Sequence, residues 1–568
     1  INFFDKQRFA LSFDAGLNPA TGTIQCRSQF DPASNVAHPA NTAAGLAFNQ
    51  ARLAADVAAC VPYNPFGNVS NPGQASNRAA IDYFTIKSAD TAKITQTNLV
   101  AFVSGDTSGF FNLWGGPLRF SVGGEYRRDK ARYNQDPFTN DLASYTTFLS
   151  GLGYNAPATE VKEAFGELQV PILADRPFFH ELSISGAGRI SDYNNSAGRV
   201  YSYNYGGVYA PVQDLRLRFN YGRAVRAPNV RETSTPLVPN FANNFTDPCR
   251  SAAIGTGSQF RAANCATALG GLLTNSAFAN QQVYNLKVLS GSNPDLQEET
   301  SDSWTIGGVF QPRFVRNLSL SVDYFNIRVN DVITAVTAQV IANSCYDLPT
   351  LDNLFCGLIQ RNLTAGTGPD NELPGQILSN TLVQAPLNFA SLKRRGIDAQ
   401  LSYRTEFGSN AGLGINAVYT HTFENNNFVN PSDPTFANVQ LREVGNPQDE
   451  FRVDTDLRLG NFSFGYRLRF LGPQYINTFE NVNSVGGRAP ENADYSDIAE
   501  YPSITYHDLR FEFNLDGANG AANQFQFFGG IDNVFDQAPP LDEIGTVGGG
   551  AIYDNRGRSL YAGFRARF

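Results

Sequence analysis

The last nine residues of the chain, 560–568, read LYAGFRARF, and their side chains alternate without a break. Leu560, Ala562, Phe564, Ala566 and Phe568 fall on one face of an extended strand; Tyr561, Gly563, Arg565 and Arg567 fall on the other. A period of two with no charge on the apolar side describes a strand that keeps one face dry and the other wet. The pattern recurs upstream. In residues 509–516 Leu509, Phe511, Phe513 and Leu515 alternate with Arg510, Glu512, Asn514 and Asp516, and in residues 462–470 Phe462, Phe464, Tyr466, Leu468 and Phe470 oppose Arg467 and Arg469. Residues 451–458 set Phe451, Val453 and Leu457 against Arg452, Asp454, Asp456 and Arg458. The same rule fits 118–126, 215–221, 318–324 and 397–403. Charge and apolarity are segregated by face in strand after strand.

Counting such segments predicts about sixteen strands. They begin near Arg8, Ile94, Leu118, Val161, Leu182, Val200, Leu215, Ser303, Leu318, Phe389, Leu413, Phe451, Phe462, Ile504, Gln524 and Gly557. Their connections alternate in length: short near 105–116, 173–176, 211–214, 312–317, 407–410, 460 and 517–520, and mostly long between, as at 15–91, 130–159, 227–298, 333–386, 424–447, 471–502 and 536–556. Only the connection at 193–196 breaks the alternation. In an up-and-down antiparallel sheet, alternate connections lie at the same end. One end therefore carries tight turns and the other large loops. A β-propeller also alternates polar and apolar positions, but it would repeat at a fixed spacing, and no such period is present.

Composition agrees. With 44 Phe, 24 Tyr and 51 Gly and only 17% charged residues, the chain reads as all-β with many turns. Mean hydropathy is −0.27 and no uninterrupted apolar run of about 18 residues occurs, which excludes a helical membrane span but not a barrel, whose alternating strands average out. A net charge of −9 opposes nucleic-acid binding. The chain has no methionine and opens on Ile1, so it is expected to be a processed product or a fragment. Residues 1–568 show no linker and read as one transmembrane antiparallel β-barrel domain.

Six cysteines form three sequence-local pairs, Cys26 with Cys60, Cys249 with Cys265 and Cys345 with Cys356, none of them a CxxC. All lie in long connections of one parity, so three loop-closing disulfides at the loop end are expected, formed in an oxidising compartment. On the wet strand faces, Arg216, Arg218, Asp454, Asp456, Arg467, Arg469, Glu512 and Arg565 are candidates to line the barrel interior, with mutual pairing the bland reading for most of them. The four histidines, His38, His180, His421 and His507, are scattered, and no catalytic constellation is visible. No metal or cofactor is expected, apart from an open question of loop-bound calcium.

Several segments resemble one family. RFNYGRAVRAPNVRET (218–233), NPDLQEETSDSWTIG (293–307), GIDNVFDQAPP (530–540) and the final LYAGFRARF are similar, in order, to motifs of the TonB-dependent outer-membrane transporters of Gram-negative bacteria, as are GGEYRRDKARY (123–133) and AFGELQVPI (164–172). The resemblance implies a barrel of about 22 strands with a plugged interior. The visible strands would be roughly the last sixteen, the long loops would be extracellular, and Phe564 and Phe568 would form a carboxyl-terminal assembly signal. No plug domain and no TonB box are visible, so the plug and first strands are expected in a separate or missing segment, since an open sheet has unpaired edges. A smaller closed barrel of the same strands is the alternative.

The function implied is not enzymatic: active uptake of a scarce, bulky solute, of the ferric siderophore or oligosaccharide class, driven through the TonB energy-coupling protein. Expected partners are outer-membrane lipid and lipopolysaccharide, the plug segment and the barrel assembly machinery. A passive porin, whose strand number the count also fits, and a surface adhesin are the competing readings. If the three cysteine pairs are disulfides, denatured unreduced protein titrates no free thiol and reduced protein titrates six; six thiols without reductant would refute the pairing.

Overall fold

The computed structural model describes every residue except 1, 40–42, 67–76, 88, 137, 139–152, 409, 477–499, 517–523, 542–551 and 568. Phe568, much of the 130–159 and 471–502 connections and the turn at 517–520 therefore lie outside the described residues.

Among the described residues, fifteen long strands form one sheet that closes as a ring and is antiparallel between sequence neighbours. They are β1 (Thr91–Asp106), β2 (Arg119–Asn134), β3 (Thr159–Arg176), β4 (Phe179–Tyr193), β5 (Arg199–Val212), β6 (Leu215–Arg226), β7 (Glu299–Phe310) and β8 (Leu318–Ala335), followed by β9 (Pro386–Phe407), β10 (Ala411–Phe428), β11 (Asp449–Leu459), β12 (Phe462–Leu471), β13 (Ile504–Asp516), β14 (Gln524–Asp532) and β15 (Ser559–Arg567). Each pairs with the next in sequence, and β15 lies beside β1 in the ring. Every residue of β1 is exposed, and it pairs along its whole length with β2. No described helix is long and apolar enough to cross a membrane.

Register follows the alternation. Phe462, Phe464 and Tyr466 of β12 stand opposite Phe513, Phe511 and Leu509 of β13, and Phe513 faces Phe527, which faces Phe564. Directly opposed residues share a face, so these rings form one continuous outward band. Phe511, Phe513, Phe527 and Phe564 are all exposed, which in a water-soluble sheet would be a large apolar patch and in a membrane barrel is the lipid-facing surface. Two glycines are explained by local geometry. Gly460 sits in the turn between β11 and β12 at φ +60°, where a side chain is strained. Gly563, on the polar face of β15, lies under the Phe528 ring, and a Cβ there would come within 2.2 Å of it.

One strand expectation is corrected. The segment near Arg8 is not a strand but helix α1 (Lys6–Phe13), so the long strands number fifteen. Asp5 caps it by accepting from the Arg8 amide at 3.1 Å, and Gln7 and Leu11, one turn apart, are buried. Helices α2 (Ala43–Ala58) and α3 (Arg78–Phe84) pack on it. Arg8 and Arg52 hold the buried carboxylates of Asp56 and Asp5, and Cys26–Cys60 closes the unit. A buried ion-pair network has no period-two or simple amphipathic signature, which is why the segment misled the reading.

The connections after β2, β6, β8, β10, β12 and β14 are the long ones, and the segment before β1 lies at the same end because Thr91 pairs with Asn134. Phe48 and Arg52 of α2 approach Phe138 of the β2–β3 connection, at 6.5 and 5.7 Å between ring centroids and from guanidinium to ring respectively.

For the barrel face assignment, Phe564→Asp is expected to lower the stability of the assembled barrel, because a charge on the lipid face near mid-strand costs up to about 4 kcal/mol. Arg565→Ala, on the opposite face, should stay near wild type. Urea unfolding in lipid vesicles measures both; equal losses would overturn the assignment.

Candidate functional site

The segments that carried the family resemblance build a clasp at the loop end of the ring. Arg226, the last residue of β6, donates two hydrogen bonds at 2.7 Å to Glu299 at the start of β7 and one at 3.0 Å to Glu232. Asn229 caps the short helix Val230–Ser234, and Glu232 returns the hydrogen bond to the Asn229 amide at 2.8 Å. Glu299 also accepts from the Ile333 amide of β8, and Asn293 donates through its side chain to the Pro386 carbonyl of β9. Four strand ends are tied together by residues of two motifs. The third motif forms a turn: Asn533, buried and at φ +52°, donates from its main-chain amide to the Asp508 carboxylate at 2.8 Å, and its side chain donates to the Gln537 carbonyl and accepts from the Gln537 amide. Asp536, at φ +54°, accepts from the Arg558 amide. Asn and Asp tolerate this left-handed backbone better than other side chains.

The eight wet-face candidates lie on one face of the ring, distributed along it. Arg218 is held by Asp323 and Ser321, Arg216 pairs with Glu181 at 2.9 Å, and Arg565 donates to Gln526. Asp454 bridges Arg467 at 2.6 Å and Arg452 at 2.9 Å, Asp456 pairs with Arg510 at 2.9 Å, and Glu512 lies 3.8 Å from the same arginine. Arg469 differs: it stacks on Tyr506 at 4.7 Å and donates to the Ile552 carbonyl. Exposed pairs of this kind contribute at most about 1 kcal/mol each, so they neutralise the wall more than they stabilise it.

This face holds two adjoining cavities, one of about 350 Å³ at mid-height and one of about 510 Å³ at the loop end. The larger is lined by Arg452, Arg467, Arg469, Tyr506, Asp508, Tyr553 and Arg556, among others. Asp454, Asp456, Arg467 and Arg469 line these two cavities; Arg216, Arg218, Glu512 and Arg565 do not. Tyr506, Tyr553 and Arg556 were missed by sequence reasoning because they sit at a strand start and in a loop. Gln474, fully buried, fixes Tyr553 by a 2.8 Å hydrogen bond, and the Tyr506 hydroxyl accepts from the Asp554 amide. Burial pushes the Tyr553 phenol up to about 12, so it stays neutral.

At the same end of the ring the β6–β7 and β8–β9 connections fold into one lobe. Strand Val238–Phe245 pairs with Tyr284–Ser290, and helix α4 (Ala338–Asp347) lays Ala338, Ile341, Ala342, Cys345 and Tyr346 on the apolar side, a helical spacing. The helix ends before Pro349, which forces Leu348 to extended backbone. Cys249–Cys265 and Cys345–Cys356 brace the lobe; with Cys26–Cys60, all three cysteine pairs are disulfides at the loop end. A buried Arg361–Asp247 pair at 2.7 Å ties its two connections, with Arg361 stacked on Tyr346. Glu372 is also buried. Desolvation alone would raise its pKa, but hydrogen bonds from the Ser379 hydroxyl and the Ser379 and Asp370 amides outweigh it and hold the group at about 2.

The histidines remain apart: His421 contacts Asp449, His507 contacts Tyr466, and His180 lies beside Asp175. Residues 240–245, rich in Asn and Phe, belong to the edge strand of the lobe.

Ring, outward apolar band, polar inner face and one looped end together define a transmembrane β-barrel. The model of the TonB dependent receptor-like β-barrel matches residues 2–534, and the chain belongs to that family, one of transport receptors and not of enzymes. Among solved structures, the siderophore receptor PirA from Acinetobacter baumannii is 14% identical at a TM-score of 0.50, covering 83% of this chain and 55% of its own. The ferric enterobactin receptor PfeA, from Pseudomonas aeruginosa, is 14% identical at a TM-score of 0.52, covering 83% and 54%. The chain thus spans little more than half the length of these structures. No curated protein sequence matches it.

Because the Glu372 pKa lies below its ordinary 4.5, its contribution to the lobe is complete above pH 4.5 and is lost as pH falls towards 2. Hydrogen exchange across residues 360–382 should therefore accelerate between pH 4.5 and 2 in the native protein, and Glu372→Gln should show a smaller change. An unchanged profile in the variant would refute the assignment.

Proposed function

We propose that the chain is the barrel portion of an outer-membrane receptor for energised uptake of a bulky polar solute, of which a ferric siderophore is the best supported class. The supporting observation is the mouth cavity: about 510 Å³ bounded by Arg452, Arg467, Arg469 and Arg556 with Tyr506 and Tyr553. Arginine planes and phenols supply charge and flat stacking surface for an anionic, aromatic-rich chelate. Asp508, Asp532 and Asp554 share that wall, so its charge is mixed and an oligosaccharide is the second reading. The similar structures named above are siderophore and ferric enterobactin receptors.

In this reading the wet face is the interior wall, the looped end is extracellular, and lipopolysaccharide surrounds the apolar band. Capture at the mouth precedes transfer past a plug moved by the TonB protein. The plug, its TonB box and further barrel strands belong to the whole receptor, consistent with the partial coverage of the similar structures. Such a barrel depends on the assembly machinery that reads its last strand. No covalent step is required, and the arginines act by holding the solute.

Arg469→Ala combined with Arg556→Ala should weaken binding of a ferric siderophore to the purified protein at least tenfold without altering barrel assembly, while uptake by cells carrying the whole receptor should stop when the proton gradient is collapsed. Uptake insensitive to the gradient would favour the porin. Unchanged ferric siderophore binding together with binding of an oligosaccharide would replace the substrate class.

A further inference from the structure

The outward face of the ring is apolar for most of its height, as at Leu99, Val103 and Val122 of β1 and β2. Near the loop end of β1–β3 it becomes basic. The register sets Thr97 opposite Arg128, Thr95 opposite Lys130 and Lys93 opposite Arg132, and it sets Lys162 opposite Tyr126. Because opposed residues share a face, Lys93, Arg128, Lys130, Arg132 and Lys162 stand together directly beyond the apolar band, and all five are exposed.

Two carboxylates reach this patch and both are engaged by arginine: Glu160 by Arg128 at 3.1 Å and Asp192, opposite Lys162, by Arg199 at 3.5 Å. Lys93, Lys130, Arg132 and Lys162 have no ion pair among the described residues. Arg132 donates to the Asn134 side chain at 2.9 Å, a neutral partner; like charges placed directly opposite, as Lys93 and Arg132 are, destabilise a strand pair, and no described carboxylate pairs with either. Farther round the ring the arrangement differs. Lys393 and Arg395, also outward near the loop end, share Glu424 at 3.1 and 2.8 Å.

We infer that this patch is a binding site for a lipid whose headgroup carries two or more phosphates, seated with its acyl chains along the apolar surface of β1–β3. The position selects a lipid over a free anion: the cations lie at the upper edge of a membrane-facing band, with the Tyr126 ring position between the two regions. A phosphate bridging Lys93 and Arg132 converts the opposed like charges into two favourable contacts. The site rests on the barrel reading of the apolar face and is independent of the transported solute.

The test uses the full chain in neutral detergent, with bisphosphorylated lipid A as probe and native mass spectrometry as readout. Wild type should retain it at least tenfold better than dephosphorylated lipid A, with the preference falling as salt rises. The triple variant Lys93→Gln, Lys130→Gln, Arg132→Gln should lose the preference, whereas Arg313→Gln at the turn end should keep it. A preference undiminished in the triple variant overturns the site. Competition by millimolar inorganic phosphate, with equal binding of an acyl-free bisphosphorylated headgroup, overturns the lipid assignment in favour of a free-anion site. If the wild-type chain fails to enter neutral phospholipid vesicles at all, the barrel reading falls first and the site with it; entry without any phosphate preference removes the site alone.

Discussion

Every main-chain N–H and C=O placed in hydrocarbon must find a partner within the protein, because no water is there to take its place. The fold depends on that requirement. It admits a strand only if both neighbours are strands, so it demands a ring, and it fixes the period of two that separates Phe564 from Arg565. It also explains why the polar face is crowded with compensated charge. Arg218 with Asp323, and Asp454 between Arg452 and Arg467, keep a charged wall near neutrality while leaving it hydrated. The same requirement relaxes at the loop end, where water returns and the chain builds helices, a separate apolar core and disulfides.

That second core obeys different physics. The lobe around Ile341, Leu286 and Phe278 is a small globular unit made from two connections with little area to bury. Crosslinks compensate: Cys249–Cys265 closes a sequence separation of 16, for which restriction of the unfolded chain is worth about 3 kcal/mol on the entropic model. The Arg361–Asp247 pair adds less net stability than its geometry suggests, since both groups lose hydration, but it specifies how the two connections meet. A crosslinked lobe at the same end of the ring as a mixed-charge cavity is a reasonable basis for capture, because ordering costs are met before the solute arrives.

What could be read from the sequence divides along the same line. Alternation in 462–470 and 509–516 yields strand, face and even register, because each side chain has only two environments to choose from. Loop parity places the cysteines correctly because connectivity in a meander leaves no freedom. Arg8 was misread, and Tyr506, Tyr553 and Arg556 were invisible, because in these segments the chain is held by ion pairs and individual hydrogen bonds, as Asp5 holds Arg52 and Gln474 holds Tyr553. Such contacts join residues tens of positions apart and leave no periodic trace.

The motif residues make the division sharper. Arg226, Asn229, Glu232, Asn293, Glu299 and Asn533, which give the chain its family resemblance, are spent on one another: they cap a short helix, tie strand ends and fix a left-handed turn. None of these six lines the mouth cavity, and of the motif segments only Asp532 reaches it. A clasp of this kind has to be built from side chains of fixed length and hydrogen-bonding pattern, whatever solute the barrel admits. A binding wall has to differ with the solute. A signature strong enough to identify the family is therefore a signature of the scaffold, and specificity is to be sought in the residues that resemble nothing, here Arg469, Tyr506, Tyr553 and Arg556.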